Sequence, residues 1–329
     1  MVTKTLPPRR EKSSQASPRP AGMAADVVEL LRPQQWIKNI MVFAAPAAAL
    51  KLTSVQSLRE SVLAFAAFCL AASAAYCIND LVDRVADASH PVKRNRPVAS
   101  GRISPSLAVF TAIILAGAAF TLSLTTLHIG VTGVLLLYLL MNLAYTTALK
   151  RRVILDVIIV ALGFVLRAMA GALAVGVPTS EWLMACVFTL CLFMGFGKRR
   201  CEIAMLGETD VGLHRKTLVR YTPDLLNHLI TVSAGVAVIT FLLYTLDKGG
   251  HASPFPRHQL FYTLPIVVYG IFRFAMLTEL GLHTGPTEIV LKDRAMLITI
   301  LAWTFCAIMI AYQNVMLGPK GFAELLEPL

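Results

Sequence analysis

The chain has 329 residues, of which 56% are hydrophobic and only 15% charged, against about 45–50% and about 25% in ordinary soluble domains. Its formal net charge is +11 at pH 7. Such a composition excludes a soluble enzyme and predicts an all-α integral membrane protein, with cations gathered at the ends of apolar runs where they meet a membrane surface and no nucleic acid.

The opening residues mix Pro, Ser and basic groups and contain no apolar run, so 1–24 reads as a disordered cytoplasmic tail and not as a signal peptide. Crossing a hydrocarbon core takes about 17–25 helical residues. Apolar stretches of that order recur at roughly 33–50, 58–78, 105–124, 129–148, 153–175, 181–197, 224–247, 258–281 and 293–316. These nine predicted transmembrane helices form one domain over 25–317, followed by a short external tail at 318–329. With the amino end inside, 23 of the 30 Lys and Arg fall in inner segments and 5 in outer ones, which sets the orientation by the positive-inside rule. The long, charged connections, 79–104 and 198–223, are both inner, so chemistry is expected on the cytoplasmic face. Six cysteines form no CxxC pair and read as small core hydrophobes.

In the first span, Lys38 and Asn39 of RPQQWIKN lie about one turn in, where an ionisable group is a functional candidate by default; snorkelling of Lys38 to the headgroups is the plainer alternative. The second span runs into NDLVDRVADASHPVKRNRPVASGR. If its helix continues, Asp80, Asp83 and Asp87 lie within ~60° of one face and Asn79 widens the arc to ~100°. Carboxylates stacked in this way repel unless a cation sits among them. A few oxygen donors suit Mg²⁺, which takes its other positions from water and phosphate, whereas a solvated helix end is the rival reading. Lys93, Arg94, Arg96 and Arg102 follow, and such groups either grip phosphate or simply anchor the inner face.

Further along, Tyr145 and Lys150 close the fourth span in YTTALKRR, as ligands or as an interfacial aromatic with a stop-transfer cation. Arg167 is deep in the fifth span. It shares a face with Asp156 within ~20° but stands ~16 Å away along the axis, so the two do not pair. It is expected to line a polar cavity or to bond a neighbouring helix. Lys198 and Arg199 open the second long loop, with Glu202 placed for an i,i+4 pair. Arg273, near the inner end of the eighth span, is a weaker version of Arg167.

NDLVDRVAD resembles the first Asp-rich motif, NDxxDxxxD, of the UbiA superfamily of intramembrane prenyltransferases. The resemblance extends from about Val27 to Tyr312 and implies a nine-helix bundle around a central cavity open to the cytoplasmic side. Most members carry a second Asp-rich motif in the later loop, where this chain has GKRRCE. Together with RPQQWIKN, HPVKRNRPVASG, YTTALK and LRAMAG, that departure is similar to a branch that transfers 5-phosphoribosyl from phosphoribosyl diphosphate (PRPP) to polyprenyl (decaprenyl) phosphate, releasing diphosphate, for cell-wall arabinan synthesis.

The resemblance implies a Mg²⁺-dependent pentosyltransferase of the plasma membrane whose partners are PRPP and a polyprenyl phosphate lipid. Asp80, Asp83 and Asp87 are then catalytic and, with Asn79, hold the metal. Lys38, Asn39, Lys93, Arg94, Arg96, Tyr145, Lys150, Arg167, Lys198, Arg199, Glu202 and Arg273 become substrate-binding candidates. Prenyl transfer from a prenyl diphosphate to an aromatic or haem acceptor stays open as the alternative. A transporter for an anion is a further class, but the outer halves of the spans are almost free of ionisable groups. No residue demands a homo-oligomer and none excludes one.

Overall fold

The computed structural model describes residues 22–90, 92–214, 220–247, 257–281 and 285–316, without the side chains of 205–214 and 312–316. The external tail expected at 318–329 lies outside the described residues. So does the amino-terminal tail up to residue 21, since helix α1 (Met23–Leu31) begins within the expected tail.

Among the described residues there is no strand. Eight helices are long and apolar enough to cross a membrane: α3 (Val55–Ala88), α4 (Pro105–Thr126), α5 (Ile129–Thr147), α6 (Leu155–Val175), α7 (Glu181–His214), α8 (Pro223–Leu246), α9 (Leu264–Leu280, entered through a 3-10 run at Arg257–Thr263) and α11 (Arg294–Met316). A short α2 (Ala44–Ala48) and α10 (Pro286–Lys292) complete the set. Several ends follow directly from sequence. Ser104 and Thr222 accept the backbone N–H groups of Leu107 and Leu225 and precede Pro105 and Pro223, while α6 stops at Gly176 with φ 65°, the residue types that open and close helices.

The expected span at 33–50 is different. Pro33–Phe43 is a 3-10 stretch that runs into α2, and the chain then turns at Leu50 with φ 55°. At ~2.0 Å rise per residue a 3-10 segment reaches further than an α-helix of equal length, and its tighter radius suits close packing. That packing is against α6. A Cβ on Gly171 would lie 1.7 Å from the Val42 carbonyl oxygen and 3.3 Å from Pro46 Cδ, so the two backbones touch where glycine alone fits.

The core is built in two parts. Small residues of α3 and α6, among them Ala64, Ala67, Ala71 and Ala170, close around Phe68, Leu135 and Tyr138. Such residues let helix backbones approach in a lipid environment. A second cluster, with Phe193, Phe196 and Phe274, joins α7, α8, α9 and α11, and Val157 of α6 belongs to it. Two helices outrun their expected spans: α3 continues to Ala88 and α7 to His214. The Asp-rich stretch is therefore a rigid helix face, and the second long connection, expected at 198–223, begins as helix instead of loop.

Candidate active site

On α3 every carboxylate of the Asp register meets a cation. Asp80, 2% exposed, accepts Arg32 Nη2 at 2.5 Å and Arg96 Nη1 at 3.4 Å on the same oxygen, Oδ1. Arg96 also donates to Asp87 Oδ2 at 2.6 Å, so it bridges two turns of the helix. Asp83 receives Lys150 Nζ at 2.5 Å, and Asn79 Oδ1 accepts the Thr146 hydroxyl at 3.4 Å. These last two contacts draw the end of α5 against the acidic face. Arg32 is held from its other side by the ring of Tyr76, 5.2 Å from the guanidinium carbon.

One atom stands apart. Asp80 Oδ2 is buried with no hydrogen-bond partner, and an unsatisfied buried polar atom costs about 1–3 kcal/mol, more for a charged group. No three His, Cys, Asp or Glu side chains converge on a metal-sized point among the described residues. Magnesium, however, is usually bound through one or two carboxylates, with waters and substrate phosphates filling its octahedron. An orphaned carboxylate oxygen on a face with Asp83, Asp87 and Asn79 fits that donor demand.

A second polar group lies deep between α3, α5, α6 and the 3-10 stretch. Arg167, buried in α6, donates from Nε to Asn39 Oδ1 at 2.6 Å, from Nη1 to the Gly163 carbonyl at 2.7 Å and from Nη2 to the Tyr138 hydroxyl at 2.8 Å. Its guanidinium also packs over the rings of Tyr138 and Phe164. Asn39, fully buried, uses its amide on Cys69 Sγ at 3.2 Å. Of the two sequence readings of Arg167, the bond to a neighbouring helix is the one drawn here: all three guanidinium nitrogens are engaged by protein. Asp156, as expected from the axial separation, pairs elsewhere.

Its partners form the third group. Asp156, fully buried, accepts Arg199 Nε at 3.0 Å and the Tyr221 hydroxyl at 2.8 Å, and Arg199 reaches Glu202 at 2.6 Å. Lys198 stands 3.8 Å from Glu202, so the i,i+4 pair is long and Arg199 makes the closer contact. Burial, and then the hydrogen bond to and charge of Asp156, push the Tyr221 phenol up, so it stays a donor throughout the physiological range. Removing one member of a buried ion pair typically costs about 3–5 kcal/mol because the other is left uncompensated. Asp156→Ala is expected to lower thermal stability by that order, and Tyr221→Phe by about 1 kcal/mol, both readable as shifts in the unfolding midpoint in detergent.

The remaining candidates divide. Lys198, Arg167 and Arg32 are near enough for their charges to act on Lys38, which joins the first 3-10 stretch to α7 as a positively charged region. Tyr145 is within electrostatic range of both Tyr76 and Arg199. Lys93 and Arg94 lie on a 3-10 turn at the edge of the acidic face, Arg94 exposed. Arg102 is committed to α1, pairing with Asp26 and with Glu29 at 2.9 Å. Arg273 forms a two-point pair with Asp293, at 3.2 and 2.8 Å, and Asp293 caps the Met296 N–H; that pair ties α9 to the start of α11. Sequence reasoning missed Arg32, Tyr138 and Tyr221. For Arg32 a signal existed, because it precedes Pro33 and so had to leave the helical region at the break; it does, with φ 51°.

The family model described as the UbiA prenyltransferase family matches residues 40–246. The chain is 34% identical over 296 residues to a decaprenyl-phosphate phosphoribosyltransferase of Corynebacterium glutamicum, covering 89% of each chain. It is 35% identical over 289 residues to the protein of that name in Mycobacterium tuberculosis, covering 86% of this chain and 93% of the other. Among solved structures, a UbiA homolog from Archaeoglobus fulgidus bound to GPP and Mg²⁺ superposes with a TM-score of 0.68 at 18% identity, over 87% of this chain and 99% of that one.

Proposed function

Since the chain belongs to the UbiA prenyltransferase family, we propose that it transfers 5-phosphoribosyl from PRPP to a polyprenyl phosphate, releasing diphosphate, at the cytoplasmic face of the plasma membrane. The observation that carries this reading is the likeness to two phosphoribosyltransferases over most of their length, with Lys198 and Arg199 standing where an acidic motif would serve a second metal. Three phosphate groups meet in this reaction, and that anionic load calls for cations more than for further carboxylates.

Asp80 with Asp83 and Asp87, helped by Asn79, would hold a Mg²⁺ ion, which would supply charge neutralisation for the departing diphosphate. Arg32, Arg96 and Lys150 keep the carboxylates aligned on α3 when the substrate is away and exchange toward its phosphates when it arrives. Lys38 and Lys198, with Lys93 and Arg94 on the loop, bind the diphosphate, the 5-phosphate and the acceptor phosphate. Arg199 contributes through its fixed position between Asp156 and Glu202. Tyr145 orients the ribose. Arg167 acts through others: by holding Asn39 and Tyr138 it fixes the 3-10 stretch that carries Lys38.

The ribose C1–O bond to diphosphate breaks with its electron pair leaving on diphosphate, and an acceptor phosphate oxygen forms the new bond to C1 through an oxocarbenium-like transition state. Because the second pKa of a phosphate monoester lies near about 6, that oxygen is already anionic and no general base is needed. Prenyl transfer to an aromatic or haem acceptor is the competing reading. Membranes containing the protein, given labelled PRPP, polyprenyl phosphate and Mg²⁺, are expected to carry label into the lipid fraction. Unlabelled lipid, together with consumption of a prenyl diphosphate, would favour the competitor.

A further inference from the structure

Beside the acidic face, and separate from it, is an open cavity of about 410 Å³ lined by Thr147, Ala148, Arg151, Arg152 and Arg220. All three arginines are exposed, and among the described residues no carboxylate pairs with any of them. Neighbouring cations behave otherwise, since Lys150 and Arg199 are both committed to carboxylates. Three unpaired guanidinium groups around one hollow repel each other unless an anion sits between them.

The backbone is bent to make this arrangement. Ile154 has φ 69° and ψ −49°, with Leu155 N–H donating to the Val153 carbonyl at 2.8 Å, which is a γ-turn of the rare, strained hand. A β-branched residue at positive φ is an outlier, and such strain persists only where surroundings enforce it. Tyr221 enforces it: its buried hydroxyl accepts the Ile154 N–H at 2.7 Å while donating to Asp156. The same residue thereby fixes Arg220, its neighbour in sequence, opposite Arg151 and Arg152.

The hollow also has an apolar approach. Leu136, Leu140, Leu143 and Thr147 follow one face of α5, and the three leucines are exposed, with Leu155 of α6 exposed beside them. A strip of outward leucines ending at a trio of arginines on the inner surface matches a lipid, with acyl chains along α5 and its phosphate among the guanidinium groups. We propose that Arg151, Arg152 and Arg220 form a seat for the headgroup of an anionic membrane phospholipid, distinct from the acidic face of α3. Arg forks bind phosphate bidentately, and a wet, open hollow suits a headgroup better than a buried substrate phosphate.

Full-length protein in nanodiscs of phosphatidylcholine with about one third phosphatidylglycerol is released and analysed by native mass spectrometry for retained lipid. The wild type is expected to retain phosphatidylglycerol over phosphatidylcholine. Each basic side chain at such a surface contributes about fivefold, so the preference falls on the order of a hundredfold in the Arg151→Gln, Arg152→Gln, Arg220→Gln triple variant. Should that variant fail to fold, single Arg151→Gln and Arg220→Gln proteins are expected to lose about fivefold each. Arg84→Gln, an exposed arginine of α3 outside the hollow, is expected to change nothing. An undiminished preference in the variants overturns the proposal. So does displacement of phosphatidylglycerol by millimolar inorganic phosphate, which would assign the arginines to a soluble phosphate, or by polyprenyl phosphate alone, which would assign them to the acceptor.

Discussion

Replacing Asp80 by Asn is expected to reduce phosphoribosyl transfer by about a thousandfold or more, the scale of losing several kcal/mol of charge stabilisation on a leaving group. The side chain keeps its shape, so the change is chemical. Oδ1 of Asp80 is occupied by Arg32 and Arg96, whereas Oδ2 is buried and without a partner. An amide loses the negative charge and places either an oxygen or an NH₂ group, which cannot ligate a metal, at the orphan position. The fold is expected to survive the change: a neutral amide oxygen still accepts from Arg32, whose side chain and that of Arg96 are partly exposed, and Arg96 keeps Asp87, so the loss is smaller than for a fully buried pair. Rates measured with labelled PRPP, beside a thermal unfolding curve within a few degrees of wild type, check both halves. Wild-type turnover in the variant would remove Asp80 from the mechanism.

Gly171→Ala is expected to be the most destabilising of the glycine-to-alanine changes among the described residues. Its Cβ would stand 1.7 Å from a backbone oxygen of Val42, and neither partner has a flexible end to swing aside. The 3-10 stretch and α6 would have to part by well over an ångström, at a cost of about 3 kcal/mol or more, and the unfolding midpoint drops by roughly 4 °C or more for a chain of this size. Activity falls as well, since Lys38 and Asn39 ride on the displaced segment. Gly133→Ala is the matched control: a Cβ there meets nothing within 4 Å, and replacing glycine by alanine inside a helix normally stabilises. Equal midpoints for the two variants would show that the contact is not close.

The legible part of this chain was the part written in local runs. All eight of the long helices begin or end within a few residues of apolar stretches seen in the sequence, and the Asp register became a continuous helix face because α3 holds no glycine or proline from Val55 to Ala88. The segment 33–50 misled for a physical reason: its hydropathy is that of a span, but Pro33 and Pro46 and the contact at Gly171 impose a tighter, broken path. Pairings were the illegible part. Arg32 finds Asp80 at a separation of 48 residues, and Asp156 is met by Arg199 at 43 and by Tyr221 at 65; no periodicity encodes which of many donors meets which carboxylate. Arg167 was marked by its depth alone; that its donors end on Asn39, Gly163 and Tyr138 depends on how three helices and a 3-10 stretch converge.

The most direct measurement is PRPP binding to the purified, lipid-reconstituted protein by calorimetry, with Mg²⁺ present and then with a chelator. Saturable binding in Mg²⁺ that disappears on chelation, and is absent from the Asp80→Asn protein under both conditions, is the expected result. Equal PRPP affinity with and without the divalent ion, or undiminished Mg²⁺-dependent binding by the Asp80→Asn protein, would contradict the assignment of the α3 carboxylates to a metal-bridged diphosphate.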